Sequence, residues 1–205
     1  MVAAMMRRDP DADLVNTLPV RLRLPLIIGQ IVQLDVDVHY ELRQLWLHFV
    51  GASPARIMVP DSFGPLVEQC RYMLDEAVSS AVLRAAAQAL FADTKSAHEA
   101  RNRYVHDTVL PFTDELAIED GRLTIGRYRR RHEDPEVTEA TVDDAKRVRL
   151  DLSHVRMRLQ HLRVRVLWPN YDYGDENDDW MAIIGGDYDR GRFVGLPPSV
   201  DEEER

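Results

Sequence analysis

Between residues 142 and 166 the apolar side chains Val148, Leu152, Val155, Leu159, Leu162 and Val166 recur in unbroken four-three steps. That spacing returns a side chain to the same face of an α-helix at every turn, and a helix with one apolar stripe has to bury it against a neighbour. Thr141 precedes the stripe as an N-cap with Asp143 and Asp144 in the first turn, and Trp168-Pro169 ends it. A second stripe of Ile31, Leu34, Val38, Leu42, Leu45 and Phe49 predicts a long helix over 28–50, closed by Gly51 and Ser53-Pro54. Leu66, Cys70, Met73 and Ala77 predict a shorter one over 63–77. The alanine-rich run 78–92 has the composition of a helix packed closely between neighbours. Beyond it, Ser96-Ala97-His98-Glu99 fits a capping box, so either a new helix starts there or the previous one continues; both end before Pro111.

Four to five amphipathic helices make a mostly α chain, a helical bundle. The bundle is interrupted once. Leu116-Ala117-Ile118 and Leu123-Thr124-Ile125 alternate at period two around an Asp120-Gly121 pair, which predicts a small β-hairpin at about 115–130, inserted before the last long helix. The expected organisation is an N-terminal extension at 1–27, a helical domain at 28–168, and an acidic, extended or partly disordered tail at 169–205. Charge is uneven along this layout. Residues 170–205 hold 11 acidic and 3 basic side chains, whereas 121–165 hold 12 Arg or Lys against 7 Asp or Glu. A basic segment therefore sits beside an acidic one, and the latter could lie over it.

A single cysteine excludes an intramolecular disulfide framework and a cysteine-rich zinc module, and it fits a reducing, cytoplasmic setting. No apolar run is long enough for a membrane span, and the N-terminal residues lack the layout of a signal peptide. A Gly-rich phosphate loop and a G-x-S-x-G elbow are both missing, which removes common nucleotide-dependent and hydrolase classes.

One short motif remains, Arg101-Asn102-Arg103-Tyr104-Val105-His106. Arg-x4-His spacing also occurs at Arg43/His48, Arg127/His132, Arg149/His154 and Arg156/His161, but only at Arg101 does Asn follow the Arg. Arg-Asn-x-x-x-His on a late helix of a bundle resembles the HEPN superfamily (higher eukaryotes and prokaryotes nucleotide-binding), across roughly residues 28–168 in helix order. The resemblance implies a ribonuclease, a hydrolase of toxin-antitoxin or phage-defence type, with Arg101, Asn102 and His106 at the motif positions and homodimers as the working form. Members resembling targets of adenylylation carry Tyr two residues after the His; Thr108 stands there in this chain.

The residues support the same chemistry. RNA cleavage without metal needs a base for the 2′-hydroxyl proton, an acid for the leaving oxygen and a cation for the charge on phosphorus. His106 titrates near neutral pH, and Arg101 holds a permanent charge on a planar fork. One motif supplies one histidine for two proton transfers, so two protomers facing one cleft would supply both. Asn102 and His106 share a helix face, while Arg101 lies about 140° around and about 7 to 8 Å along from His106. His98 extends the polar stripe at i, i+4, i+8 and joins Arg103, Arg156 and Arg158 as a candidate RNA-binding residue, the last two from a basic face suited to phosphates.

No cofactor is expected. No metal is expected either, since the spacings of His98, His106, Asp107, His154 and His161 match no ligand signature. The expected partners are RNA, a second copy of the chain and an antitoxin or other protein. The alternative is a non-catalytic dimer of the same fold that binds a nucleotide, RNA or a partner. Plain ion pairing of Arg101 or Arg103 with nearby acids would fit that alternative.

Overall fold

The computed structural model describes residues 12–51, 60–105, 108–109, 122–127, 136–169 and 177–186. Six helices are found among them: α1 Ala12–Thr17, α2 Val20–Val50, α3 Phe63–Ala77, α4 Ala81–Val105, α5 Val142–Leu167 and α6 Asn177–Gly185. Three short strands, β1 Thr108–Val109, β2 Arg122–Arg127 and β3 Glu136–Thr141, form one antiparallel sheet in that order. The protein is a mostly helical bundle, as its periodicities predict.

Helix α2 starts at Val20, eight residues before the expected boundary, and carries Pro25 inside it. An interior proline costs about 3 kcal/mol through its missing N–H and its clash with the preceding turn. Leu24 and Ile27 lie buried on either side of it and extend the stripe toward Ile31. Each such side chain contributes about 1.5–3 kcal/mol on burial, so the pair offsets the proline. Residues 12–27 are thus part of the fold and not an extension: Val15 is buried, and Asn16 Oδ1 accepts from Lys146 Nζ at 2.9 Å.

Helix α3 matches its sequence signal at both ends. Helix α4 settles the choice at Ser96 in favour of one continuous helix, begun by Ser80, whose Oγ accepts from Leu83 N at 3.3 Å. Helix α5 opens as its sequence predicts. Thr141 Oγ1 accepts from the Asp144 backbone N at 3.1 Å and donates to Asp144 Oδ2 at 2.7 Å.

The hairpin before α5 differs from expectation in its partner strand. Leu123, Thr124 and Ile125 pair with Ala140, Glu139 and Thr138, and Ile125 also pairs with Val109. The expected arm at 116–118 lies outside the described residues. β3 reads as a polar loop because Glu136 and Glu139 interrupt its β-branched residues Val137, Thr138 and Thr141. A strand paired to one neighbour at the rim of a sheet accepts that many charges.

The chain folds into two compact units. One is built from the described residues of Glu41–Phe91 and Met157–Arg205, and its buried side chains include Leu42, Trp46, Leu66, Leu74, Leu90, Leu159 and Leu162. Trp46 Nε1 donates to Gln69 at 2.8 Å, and Cys70 Sγ donates to the Leu42 carbonyl at 3.4 Å. Burial pushes the Cys70 thiol up to about 12, which keeps it protonated and unreactive. This unit also contains α6, a correction to the expected tail. Trp180, Ile183 and Ile184 are buried, with Val164, Met157 and Trp168 packed around Trp180 and Ile183. Mean composition hid them, since three apolar anchors at helical spacing suffice to dock nine residues whatever the flanking charge.

The second unit is built from the described residues of Arg8–Tyr40 and Ala92–Arg156, with Leu24, Ile27, Ile31, Val38, Ala97, Leu152 and Val155 buried. It carries the Arg101 motif.

Candidate active site

Ile31 and Val38 lie on the buried stripe of α2, and Asp35 stands four residues after the first and three before the second. Helix geometry turns Asp35 inward with them, and its side chain is only 6% exposed. A carboxylate there has to be partnered, because an unpaired buried charge costs several kcal/mol.

Helix α4 provides the partners. His98 Nδ1 lies 2.8 Å from Asp35 Oδ1, and an Arg101 terminal nitrogen lies 3.0 Å from Asp35 Oδ2. The other terminal nitrogen of Arg101 donates to Asn102 Oδ1 at 2.9 Å. With Oδ1 as acceptor, His98 carries its proton on Nδ1. The two α4 residues reach the same carboxylate because three residues on a helix turn nearly a full circle.

Four of the expected site residues can thus be placed on α4. His98 and Arg101 come together on Asp35, and Asn102 joins them through Arg101. Arg103 is exposed, on an open face shared with Ser96, Glu99, Ala100 and Asn102. His106, together with Asp107, lies outside the described residues.

The basic face of α5 is largely engaged within the protein. Arg156 pairs with Asp37 at 3.2 Å and remains part-exposed. Arg149 is buried and donates to Gln30 Oε1 at 2.9 Å. In the other unit, Arg163 Nε donates to the buried Glu41 at 2.8 Å, and Arg165 donates to Asn177 at 2.7 Å. Arg158, an expected RNA contact, is buried and donates Nε to the Ile184 carbonyl at 2.9 Å, at the C-terminal end of α6. Its guanidinium lies where a Cβ on Gly186 would approach to 3.0 Å, and Gly186 adopts φ +82°. Arg158 therefore serves packing and α6 capping rather than an RNA surface.

Sequence reasoning missed Asp35. Its signal was present, since an acid at a position that the three-four period assigns to the core needs a buried cation or donor. Glu41 has the same signature, three residues after Val38 and four before Leu45, and it is equally buried and bonded to Arg163 and Gln160. Among the described residues no group of three His, Cys, Asp or Glu side chains gathers as a metal-ligand set. His161 is a satisfied core histidine, with Nδ1 donating to the Met157 carbonyl at 2.8 Å and the ring 4.9 Å from Trp180. No family model matches the chain, and no curated protein or solved structure is significantly similar to it.

Proposed function

We propose that this chain is an HEPN-like, metal-independent endoribonuclease that works as a homodimer, in a toxin or phage-defence setting with an antitoxin or another protein as partner. Arg101, Asn102 and His106 form the motif at each half of an intersubunit cleft. One His106 imidazole takes the 2′-hydroxyl proton as that oxygen bonds to phosphorus. The partner's His106, protonated, delivers a proton to the 5′ oxygen as the P–O5′ bond breaks. The products are a cyclic 2′,3′-phosphate and a free 5′-hydroxyl.

The observation that carries this reading is the fixing of Arg101. Asp35 and Asn102 hold the two ends of its planar fork, so the cation is oriented before substrate arrives and the transition state need not reorganise it. His98, on the same carboxylate, extends the polar face expected of a motif helix. The same ion pair also favours a second reading, a non-catalytic RNA- or partner-binding dimer, because a buried Asp neutralises much of the Arg101 charge.

The assay that separates the two is RNA cleavage by the purified protein in excess EDTA, for wild type and His106→Ala. The expected result is cleavage by wild type and a loss of about a hundred-fold or more in the variant, the scale of a general acid–base contribution. Equal rates, or none in either protein, would leave the binding reading in place.

A further inference from the structure

Beside the exposed Arg103 face lies a cleft of about 180 Å³, formed by the C-terminal turns of α4, the end of β3 and the first turns of α5. Tyr104 forms one wall, Arg103 and Arg147 line the cleft with their cations, and Glu139 and Asp144 supply carboxylates. Arg103 belongs both to this cleft and to the open face that carries Asn102, so the cleft is continuous with the motif. Ligand pockets for drug-sized molecules run to about 300–1,000 Å³. A space below that range takes one planar ring, with a flanking anion outside it.

We propose that this cleft is a subsite for one unpaired RNA base, stacked on Tyr104 with its adjacent phosphate on Arg103 and Arg147. It rests on the ribonuclease reading for its position beside the motif, and it names the substrate as single-stranded.

Three features point to such a ligand. Tyr104 is half-buried, and its surroundings raise its pKa, first through burial and then through Asp144, against the opposing pull of Arg103 and Arg147. The phenol therefore stays neutral, and Tyr104 is the aromatic side chain among the residues that line the cleft, the type on which bases stack. Arg147 is 74% exposed, and its pairing with Asp144 is loose at 3.8 Å, an exposed contact worth little and readily exchanged for phosphate. Asp144 is held in place by Thr141, and Glu139 is exposed on β3, so both carboxylates stand as acceptors. With the Arg103 and Arg147 donors taken up by phosphate, these carboxylate acceptors favour bases that carry an exocyclic amine over uracil.

The test is fluorescence anisotropy with labelled heptanucleotides A7, C7 and U7 in EDTA, on the full chain carrying His106→Ala so that no cleavage intervenes. Tyr104→Leu is expected to weaken A7 binding about five- to a hundred-fold, the range of base–aromatic stacking, while Tyr104→Trp keeps it. Arg147→Ala leaves the fold intact, because the side chain is exposed, and is expected to lower the slope of log Kd against log salt by about 0.7, one phosphate contact on a single strand. U7 is expected to bind more weakly than A7 or C7. No binding at all, or unchanged affinity and slope in Arg147→Ala, would overturn the subsite, as would U7 binding best. The two readings fail separately. A chain that binds through Tyr104 and Arg147 but never cleaves keeps the cleft and loses the nuclease, whereas one that cleaves with the same KM after Arg147→Ala does the reverse.

Discussion

At the scale of single residues, Asp35 determines what Arg101 can be. Its carboxylate has two partners on α4, and both are themselves largely shielded from water, so removing it leaves a cation and an imidazole in a pocket built for an anion. Asp35→Ala is expected to destabilise the protein by about 3 kcal/mol, the cost of breaking one side of a buried pair, as measured by urea unfolding. Asp35→Asn, which keeps an acceptor oxygen and loses the charge, should fall between it and wild type. Both should lower RNA cleavage more than His98→Gln, since the acid bonds the motif arginine directly and His98 bonds only the acid. Little of this was legible beforehand. Arg101 and Asn102 stand out because their types and spacing are chemical, whereas Asp35 is separated from them by more than sixty residues and only the bundle brings it near. Arg158 misled for the converse reason. A cation in a basic run looks solvated until a helix assembled from a distant acidic stretch brings its C-terminal carbonyl against it.

At the scale of elements, the starts of α4 and α5 follow local chemistry, each set by a hydroxyl that accepts from a backbone N–H. The Thr141–Asp144 exchange opens α5 where the sequence says it should, and the cap is worth testing in its own right. Thr141→Ala is expected to cost about 1 kcal/mol in thermal or urea unfolding, the usual loss of an N-cap oxygen. Because Asp144 is held by the same hydroxyl, this variant should also weaken RNA binding at the Tyr104 cleft. Where tertiary burial outweighed a local signal, the sequence was a poorer guide. Pro25 marks a break that Leu24 and Ile27 override, and β3 is a strand because β2 pairs with it, not because its own residues demand it.

At the scale of the whole molecule, the proposed chemistry needs two copies. The solvent side of α2 carries Leu22, Leu26, Val32, Val36 and Tyr40, from 36% to 57% exposed and recurring mostly at four-residue steps. Such a second stripe, opposite the buried one, is the pattern by which one helix packs against a copy of itself. Val36→Arg is expected to convert a dimer to a monomer in sedimentation analysis and to abolish cleavage with it, while leaving helix content unchanged by circular dichroism. A dimeric Val36→Arg protein would move the subunit contact elsewhere.

The seat of α6 decides where this chain can be cut without loss of meaning. The composition invites removal of everything beyond Pro169 as one acidic appendage. That cut would pull Trp180 off His161 and take the Ile184 carbonyl from Arg158, so any change in RNA affinity would report a damaged core as much as a removed charge. A chain ending at Gly186 keeps both contacts while shedding six of the eleven acidic side chains together with Arg190, Arg192 and Arg205. That shorter deletion tests an electrostatic shield without disturbing the core.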